Sequence, residues 1–388
     1  MSSRVIKPTG RGFLLLDSHP TGCSQSVADM VPSFTPAPRK VALIIGSSAG
    51  YGLATTLAGL ARHGIVGVGV AFERPPGRRT ATAGWYRTIA TAGLSGDFSF
   101  VNADAFADTT KEEVLDLVAK RFGALDYLIY SVAAPRRVDP RSGETYASVI
   151  KPLGAAHTTR TLDFSPDGTA ALNEVTAEPA TEEEAAATVK VMGGEDWGRW
   201  ITALTDRGLL NPGFQTVALS YIGSSLTSAI YREGTIGAAK QDLEQTAATL
   251  TALLQGVGGR AFTSVNGAAV TQASTAIPGI ALYVSLLRAV LGDKMQSPVE
   301  QSLRLWDQLT GATPLDLDEL GRIRLDRWEL DEQVQSAVEA LWRSATPETI
   351  AEIADLDWFR AQFRGLYGFD VPGVDYDAPV ETDLPWPA

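Results

Sequence analysis

Apolar positions come in short unbroken runs separated by stretches of helical spacing. Val41-Ala42-Leu43-Ile44-Ile45 is one such run, and residues 53–61 after it read as a helix. Residues 65–72, 98–103 and 126–132 are further strand-length runs, with a helical pattern over 111–122 between the last two. Unbroken apolar strands suit a parallel sheet covered on both faces. Their alternation with helices predicts an α/β fold, a doubly wound parallel sheet of the Rossmann type.

After Val132 the alternation stops. Residues 134–214 hold a turn at Ser142-Gly143-Glu144, a hairpin around Pro166-Asp167-Gly168, and helical stretches near 182–191 and 196–207. This is expected to be an inserted lid or substrate region. The sheet then resumes at 216–221 and adds a strand near 262–265. Between them Ile236, Ala239, Leu243, Ala247, Leu250 and Leu254 recur at spacings of three and four, an amphipathic helix. Gly234-Thr235 starts it, and Gly256, Gly258 and Gly259 stop it. Residues 276–388 read as a mainly helical extension, with helices at 281–291, 298–309 and 331–342. Upstream lie a strand-like run at 12–16, a turn at His19-Pro20-Thr21-Gly22-Cys23, and a proline-rich connector at 30–39. The expected organisation is one large α/β unit over 1–388, its dinucleotide-binding core formed by 40–133 and 215–275.

Composition narrows the function. The 388 residues are 45% hydrophobic and 20% charged, as in a globular enzyme with a substantial core. A net charge of −12 without a dense basic patch argues against nucleic acid as a partner. Cys23 alone cannot form an internal disulfide. His19, His63 and His157 are scattered, so neither a metal site nor a serine–histidine triad is expected. Residues 1–10 lack the apolar stretch of a signal peptide, and the apolar run at 277–287 is too short to span a bilayer, so a cytoplasmic enzyme is expected.

The candidate chemistry begins at Gly46-Ser47-Ser48-Ala49-Gly50-Tyr51-Gly52, between a strand and a helix. Missing side chains let a pyrophosphate reach the backbone, and the helix start offers free N–H groups. Glu73 closes the next strand, where a carboxylate would hold the adenosine ribose and repel a 2′-phosphate. NADH is therefore expected over NADPH, although Arg74, Arg78 and Arg79 follow closely. Asp104-Ala105 and Val132-Ala133 end the next two strands, beside the expected adenine and nicotinamide ribose. Farther on, Tyr221, Tyr231 and Lys240 cluster in sequence. Nine helical residues turn through an odd number of half-turns, so Tyr231 can meet Lys240 only from a loop ahead of the helix. By itself this spacing is also what a core tyrosine and a snorkelling lysine produce.

Motifs spread along the chain resemble the single-chain trans-2-enoyl thioester reductases, the trans-2-enoyl-CoA reductases and the FabV-type enoyl-acyl-carrier-protein reductases. They include Arg11-Gly12-Phe13, His19 to Cys23, Gly46 to Gly52, Thr82-Ala83-Gly84-Trp85-Tyr86, and Met192-Gly193-Gly194-Glu195-Asp196-Trp197. Ser220-Tyr221-Ile222-Gly223, Val270-Thr271-Gln272-Ala273-Ser274, Trp328-Glu329-Leu330 and Gly373-Val374-Asp375-Tyr376 follow in the same order. The resemblance implies NADH-dependent reduction of an enoyl-CoA or enoyl-carrier thioester, as in the last reductive step of fatty-acid-type elongation, by a monomer. It places the family's Tyr-x8-Lys on Tyr231 and Lys240, and its other pocket tyrosine, beside the substrate, on Tyr221. Nucleotide contacts would fall on Gly46 to Tyr51, Phe72-Glu73, Asp104-Ala105, Val132-Ala133, Lys240 and Ala269-Val270-Thr271. Residues 277–287 are a candidate acyl-chain wall, or plain helix packing. Arg232-Glu233 and Gln241 depart from the family pattern. The rival functions are a short-chain carbonyl reductase, which would use Tyr-x3-Lys on one helix face, and a nucleotide-binding homologue without turnover.

Overall fold

The structure is a computed structural model and describes residues 3–164 and 170–387. Seven strands form its central sheet: β1 (Lys40–Ile45), β2 (Ile65–Ala71), β3 (Phe98–Asn102), β4 (Leu125–Tyr130), β5 (Leu210–Ser220), β6 (Arg260–Val265) and β7 (Ile323–Arg324). They stand in the order β7-β6-β5-β4-β1-β2-β3, every neighbouring pair parallel. The chain therefore winds outward from β1 in one direction and from β4 in the other. Loops leaving β1 and β4 diverge, and the crevice between them lies at the carboxyl ends of the strands, where such sheets bind ligands.

The helices are α1 (Pro20–Met30), α2 (Gly50–Arg62), α3 (Ala83–Ala92), α4 (Asp108–Arg121), α5 (Glu182–Met192), α6 (Glu195–Asp206), α7 (Thr235–Leu253), α8 (Ile280–Leu291), α9 (Pro298–Leu309), α10 (Glu332–Ser344), α11 (Ile350–Ile353) and α12 (Leu356–Gly365). Successive side chains of a strand point to opposite faces, and β1 shows the consequence. Val41, Leu43 and Ile45 share one apolar cluster with Val114 of α4, Trp200 of α6 and Leu243 of α7. Ala42 and Ile44 share another with Ala58 of α2 and Trp306 of α9. Both faces are covered, which is why the strand is apolar from Val41 to Ile45.

A second core surrounds α8, whose residues 280–287 are all buried. Val338 of α10, Phe359 and Phe363 of α12, and Leu162 of an antiparallel hairpin (His157–Phe164 with Ala170–Ala177) pack in the same cluster. A helix covered on every side has no polar face to show, so residues 280–287 are apolar apart from Ser285, whose hydroxyl donates to the Ala281 carbonyl within the helix.

Some local expectations change. The predicted turn at His19 to Cys23 is instead the start of α1. His19 caps it by accepting the Gly22 N–H at 3.1 Å, and Pro20 sits in the first turn, where its missing N–H costs nothing. The run at 12–16 folds back on itself, Gly10–Arg11 pairing with Leu14–Leu15 across Gly12. β5 begins at Leu210, ahead of the predicted 216, and its pairing with β4 slips between Leu210 and Gln215 around Pro212-Gly213. The predicted tip Pro166-Asp167-Gly168 lies outside the described residues.

One buried ion pair fastens the insertion to the sheet. Asp196 of α6 accepts from Lys111 Nζ at 2.8 Å and from the Tyr130 hydroxyl at 3.0 Å. Lys111 also donates to the carbonyls of Ala105 and Phe106, so the pair anchors the loop after β3. Burial pushes the Asp196 carboxyl up and the Lys111 ammonium down, so each charge depends on the other. Asp196→Ala should cost about 3–5 kcal/mol by stranding the lysine, whereas Lys111→Met with Asp196→Leu should recover most of that loss. Denaturant midpoints of the single and double variants test it. A double variant no more stable than the single one would contradict this account.

Candidate active site

The site begins at the turn from β1 into α2. Gly46 has φ 86°, and a Cβ there would lie 1.9 Å from the Ser131 carbonyl oxygen. A Cβ on Gly52 would lie 2.0 Å from the Gly46 oxygen. Only glycine permits so close an approach of backbone to backbone. No side chain caps the first turn of α2, so its N–H groups remain for an anion.

A cavity of about 640 Å³ runs from this turn across the carboxyl ends of the strands. Gly46, Ser48, Ala49, Gly50 and Tyr51 line it, with Phe72 and Glu73 after β2, Asp104 and Ala105 after β3, and Val132 and Ala133 after β4. Tyr221, Tyr231, Lys240, Ala269 and Thr271 complete the set. Two predicted contacts fall elsewhere. Ser47 is buried toward the sheet, where its hydroxyl donates to the Val70 carbonyl at 3.4 Å. Val270 packs against the cluster around α8, since an apolar side chain finds more contact there than at the cavity wall. Ile277 and Ile280 reach the cavity, while residues 281–287 serve helix packing, so the predicted acyl wall is only the first turn of that run.

Glu73 is held firmly. Its carboxylate accepts from the Ser48 hydroxyl at 2.6 Å and from the Thr82 hydroxyl. Asn102 brackets its backbone, accepting the Glu73 N–H at 2.7 Å and donating to its carbonyl at 2.9 Å. A Cβ on Gly84 would lie 2.0 Å from a Glu73 carboxylate oxygen, so the glycine in Thr82-Ala83-Gly84 makes room for the acid.

Tyr231 lies in the turn ahead of α7, as the helical arithmetic requires. Its carbonyl accepts the Gly237 N–H at 2.9 Å, and a Cβ on Gly237 would lie 1.8 Å from the Arg232 oxygen. The turn can therefore fold directly over the first turn of α7. The Tyr221 and Tyr231 rings meet edge to face with centroids 5.0 Å apart. Their hydroxyls differ. Tyr221 donates to Glu329 Oε1 at 2.8 Å, whereas the Tyr231 hydroxyl has no protein partner among the described residues. Burial raises both phenols, so each stays a hydrogen-bond donor at neutral pH. The cation opposing that rise at Tyr231 is Arg232. Arg232 is itself paired to Glu244 at 2.9 Å.

Lys240 is half-buried, its Nζ 3.4 Å from the Leu219 carbonyl oxygen. Burial pushes the ammonium down to about 8, against an opposite pull from Glu244. Sequence reasoning missed Ser131, Asn266 and Met192, which also line the cavity, and the buried Glu329. A glutamate between Trp328 and Leu330 carries no local sign of burial. Among the described residues no group of three or more histidine, cysteine, aspartate or glutamate side chains could hold a metal ion, and no helix is long and apolar enough to cross a membrane.

A doubly wound parallel sheet with a glycine cradle at its switch point and an acid after the second strand defines a dinucleotide-binding oxidoreductase fold. Comparison with known proteins is more specific. Residues 79–310 match the sequence model of the trans-2-enoyl-CoA reductase catalytic region, and residues 5–78 match the NAD(P)H binding domain of trans-2-enoyl-CoA reductase. An enoyl-[acyl-carrier-protein] reductase [NADH] of Streptomyces avermitilis is 70% identical, over 98% of this chain and all of the relative. A trans-2-enoyl-CoA reductase [NADH] of Clostridium perfringens is 43% identical, over 97% of this chain and 99% of its own. The crystal structure of Treponema denticola trans-2-enoyl-CoA reductase in complex with NAD superposes with a TM-score of 0.88, at 41% identity over 97% of this chain and 98% of that one. The chain belongs to the trans-2-enoyl-CoA reductase family.

Residues 317–380 match a model described as the enoyl reductase FAD binding domain. They do not fit a flavin. No described residue of this segment lines the large cavity. Its buried acids are already engaged, Asp326 by Arg324 and Glu329 by two tyrosines and a backbone N–H.

The Lys240 shift gives a pH test. If the ammonium form binds the dinucleotide, NADH affinity should hold below pH 8 and weaken above it, by at most about tenfold per pH unit. Lys240→Met should bind more weakly and lose this dependence. Fluorescence titration of NADH from pH 6.5 to 9.5 checks both, and a wild-type affinity that stays flat would count against Lys240 as a cofactor contact.

Proposed function

We propose that this chain is an NADH-dependent reductase of trans-2-enoyl thioesters, carried on coenzyme A or an acyl carrier protein, giving the saturated acyl thioester. The observation that carries the reading is the unpartnered Tyr231 hydroxyl in a cavity that also holds the glycine turn and Lys240. Bound NADH supplies the hydride. As the β-carbon accepts it, charge develops on the thioester oxygen. A protonated phenol aimed at that oxygen in a water-poor cavity stabilises the resulting enolate. Tyr231 takes that role because its hydroxyl is free, and Tyr221 shapes the same corner. Lys240 would hold the nicotinamide ribose, and Gly46, Ser48, Ala49, Gly50 and Tyr51 would hold the pyrophosphate. The α-carbon then takes a proton from solvent as the enolate collapses, so the hydride and this proton are the two hydrogens gained.

Glu73 supports a preference for NADH. Both its oxygens accept hydroxyl donors, so it presents a fixed negative charge that repels a 2′-phosphate. The apolar end of the cavity, with Ile150, Met192, Ile236, Ile277 and Ile280, suits an acyl chain. Residues 134–214 contribute Ile150 and Met192 and so act as cover for the substrate. The lining of the cavity carries all of these groups, and the chain is read as acting as a monomer. NADH and thioester substrates, with a single buried thiol at Cys23, support the cytoplasm. The carbonyl-reductase alternative loses ground because Tyr231 lies on a turn, whereas Tyr-x3-Lys enzymes carry both groups on one helix face.

Tyr231→Phe should lower turnover by about 10²–10³-fold while leaving NADH affinity unchanged. Tyr221→Phe should be milder. Crotonyl thioester should be reduced and acetoacetyl thioester should not. Steady-state rates with both thioesters, beside an NADH titration, decide the matter. Near-normal turnover in Tyr231→Phe with loss in Tyr221→Phe would mean the donor is the other tyrosine.

Cofactor choice is tested separately. Glu73→Ala should narrow the NADH over NADPH preference by about one order of magnitude in kcat/KM, mainly by improving NADPH use. Equal use of both cofactors by the wild type would overturn the role given to Glu73.

A further inference from the structure

Glu329 is the most completely enclosed carboxyl group near the site. It is 0% exposed and lies outside the sequence elements that form the cavity wall. Three donors converge on it. The Tyr221 and Tyr283 hydroxyls both donate to Oε1 at 2.8 Å, and the Ala268 N–H donates to Oε2 at 2.5 Å. Gln335 closes the ring, donating to the Tyr283 oxygen at 3.0 Å and to the Glu329 carbonyl at 2.7 Å. Ser224, three residues after Tyr221, donates to Gln335 Oε1 at 2.6 Å.

Burying a carboxylate is costly, and a fold does so only where several donors compensate it. Burial lifts this carboxyl to about 7, with the two tyrosines and the Ala268 N–H pulling the other way. The donors are not a random set. Tyr221 and Ala268 both line the cavity, on the loops after β5 and β6 respectively, whereas Tyr283 of α8 does not. The neighbouring Trp328 packs so closely that a Cβ on Gly267 would lie 2.3 Å from its ring. Tyr51 of the glycine turn donates to the Gly267 carbonyl at 2.6 Å. One buried segment from the helical extension thus grips the loop that leads to Ala269 and Thr271, together with the phenol beside Tyr231.

We infer that Glu329 is a positioning residue for the reduction. It turns the Tyr221 hydroxyl away from the thioester oxygen and ties it to the Ala268 backbone, leaving Tyr231 as the free donor in a fixed corner. This rests on the assignment of Tyr231 above. The segment described by the family model as flavin-binding then has a different task in this chain, bracing the tyrosine pair.

The test uses Glu329→Gln, Tyr221→Phe, their double variant, Tyr283→Phe and Tyr231→Phe in the full chain. An amide keeps the shape but has one acceptor oxygen, so at least one of the three donors loses its partner. Glu329→Gln should lower kcat about five- to tenfold with NADH affinity nearly unchanged, since one misplaced hydrogen bond at the reacting corner is worth that much. Tyr221→Phe should cost a similar factor, and the double variant no more than the larger single effect, because both remove one linkage. Tyr283→Phe, which breaks the same network away from the cavity, should lower the melting temperature but leave kcat within about twofold.

Multiplying losses in the double variant, or a Glu329→Gln kcat within about twofold of wild type, would overturn the inference. Should Glu329→Gln not fold, Tyr221→Phe against Tyr283→Phe decides. A kcat loss in the first alone supports positioning, and equal losses or none overturn it. If instead Tyr231→Phe keeps its turnover, the assignment of Tyr231 has failed, whatever Glu329 does.

Discussion

The backbone contact between Gly46 and Ser131 sets the floor of the site. β1 and β4 are neighbours in the sheet, yet the chain leaves them toward opposite sides. The two exits can lie edge to edge only if residue 46 has no Cβ, since one there would stand 1.9 Å from the Ser131 oxygen. Gly52 repeats the condition one turn into α2, against the Gly46 oxygen. With both met, the start of α2 sits directly at the switch point and leaves its N–H groups uncovered. The rest of the cavity is arranged around that fixed point.

Above the floor, two kinds of buried polar group hold the walls. Near β2 the half-buried Glu73 is shared between Ser48, Thr82 and the space left by Gly84, and the buried pair of Lys111 with Asp196 restrains the loop after β3. On the reacting side Glu329 gathers Tyr221, Tyr283 and Ala268. At Asp196 and Glu329 a charge that would be unstable alone is kept by several donors, and breaking one partner leaves the others exposed to the full cost of burial. Such groups make poor sources of net stability, but they hold one geometry against its neighbours.

The two tyrosines illustrate how placement separates similar side chains. Both are aromatic, adjacent and raised above the ordinary phenol range by burial. One spends its hydroxyl on a carboxylate and the other keeps it. That difference comes from Glu329, 108 positions downstream of Tyr221, through the core built around α8.

Much of this could be read from the chain alone. Unbroken apolar runs alternating with helical spacing are a direct consequence of a parallel sheet covered on both faces, so the strands from Lys40 to Tyr130 were legible within a residue or two. The glycine turn, Glu73 and the loop position of Tyr231 were legible for a similar reason, since each is a local requirement on conformation or spacing. The start of α1 was misread because His19 and Pro20 look like turn residues until the cap they form is seen. Ser47 and Val270 were misplaced because a motif names its residues without saying which way each side chain faces. The partners of Tyr221, Tyr283 and Lys111 had no local signature at all. Hydrogen bonds such as that from Tyr221 to Glu329 join segments 108 residues apart, and only the packed tertiary structure brings such groups within reach and removes the water that would otherwise satisfy them.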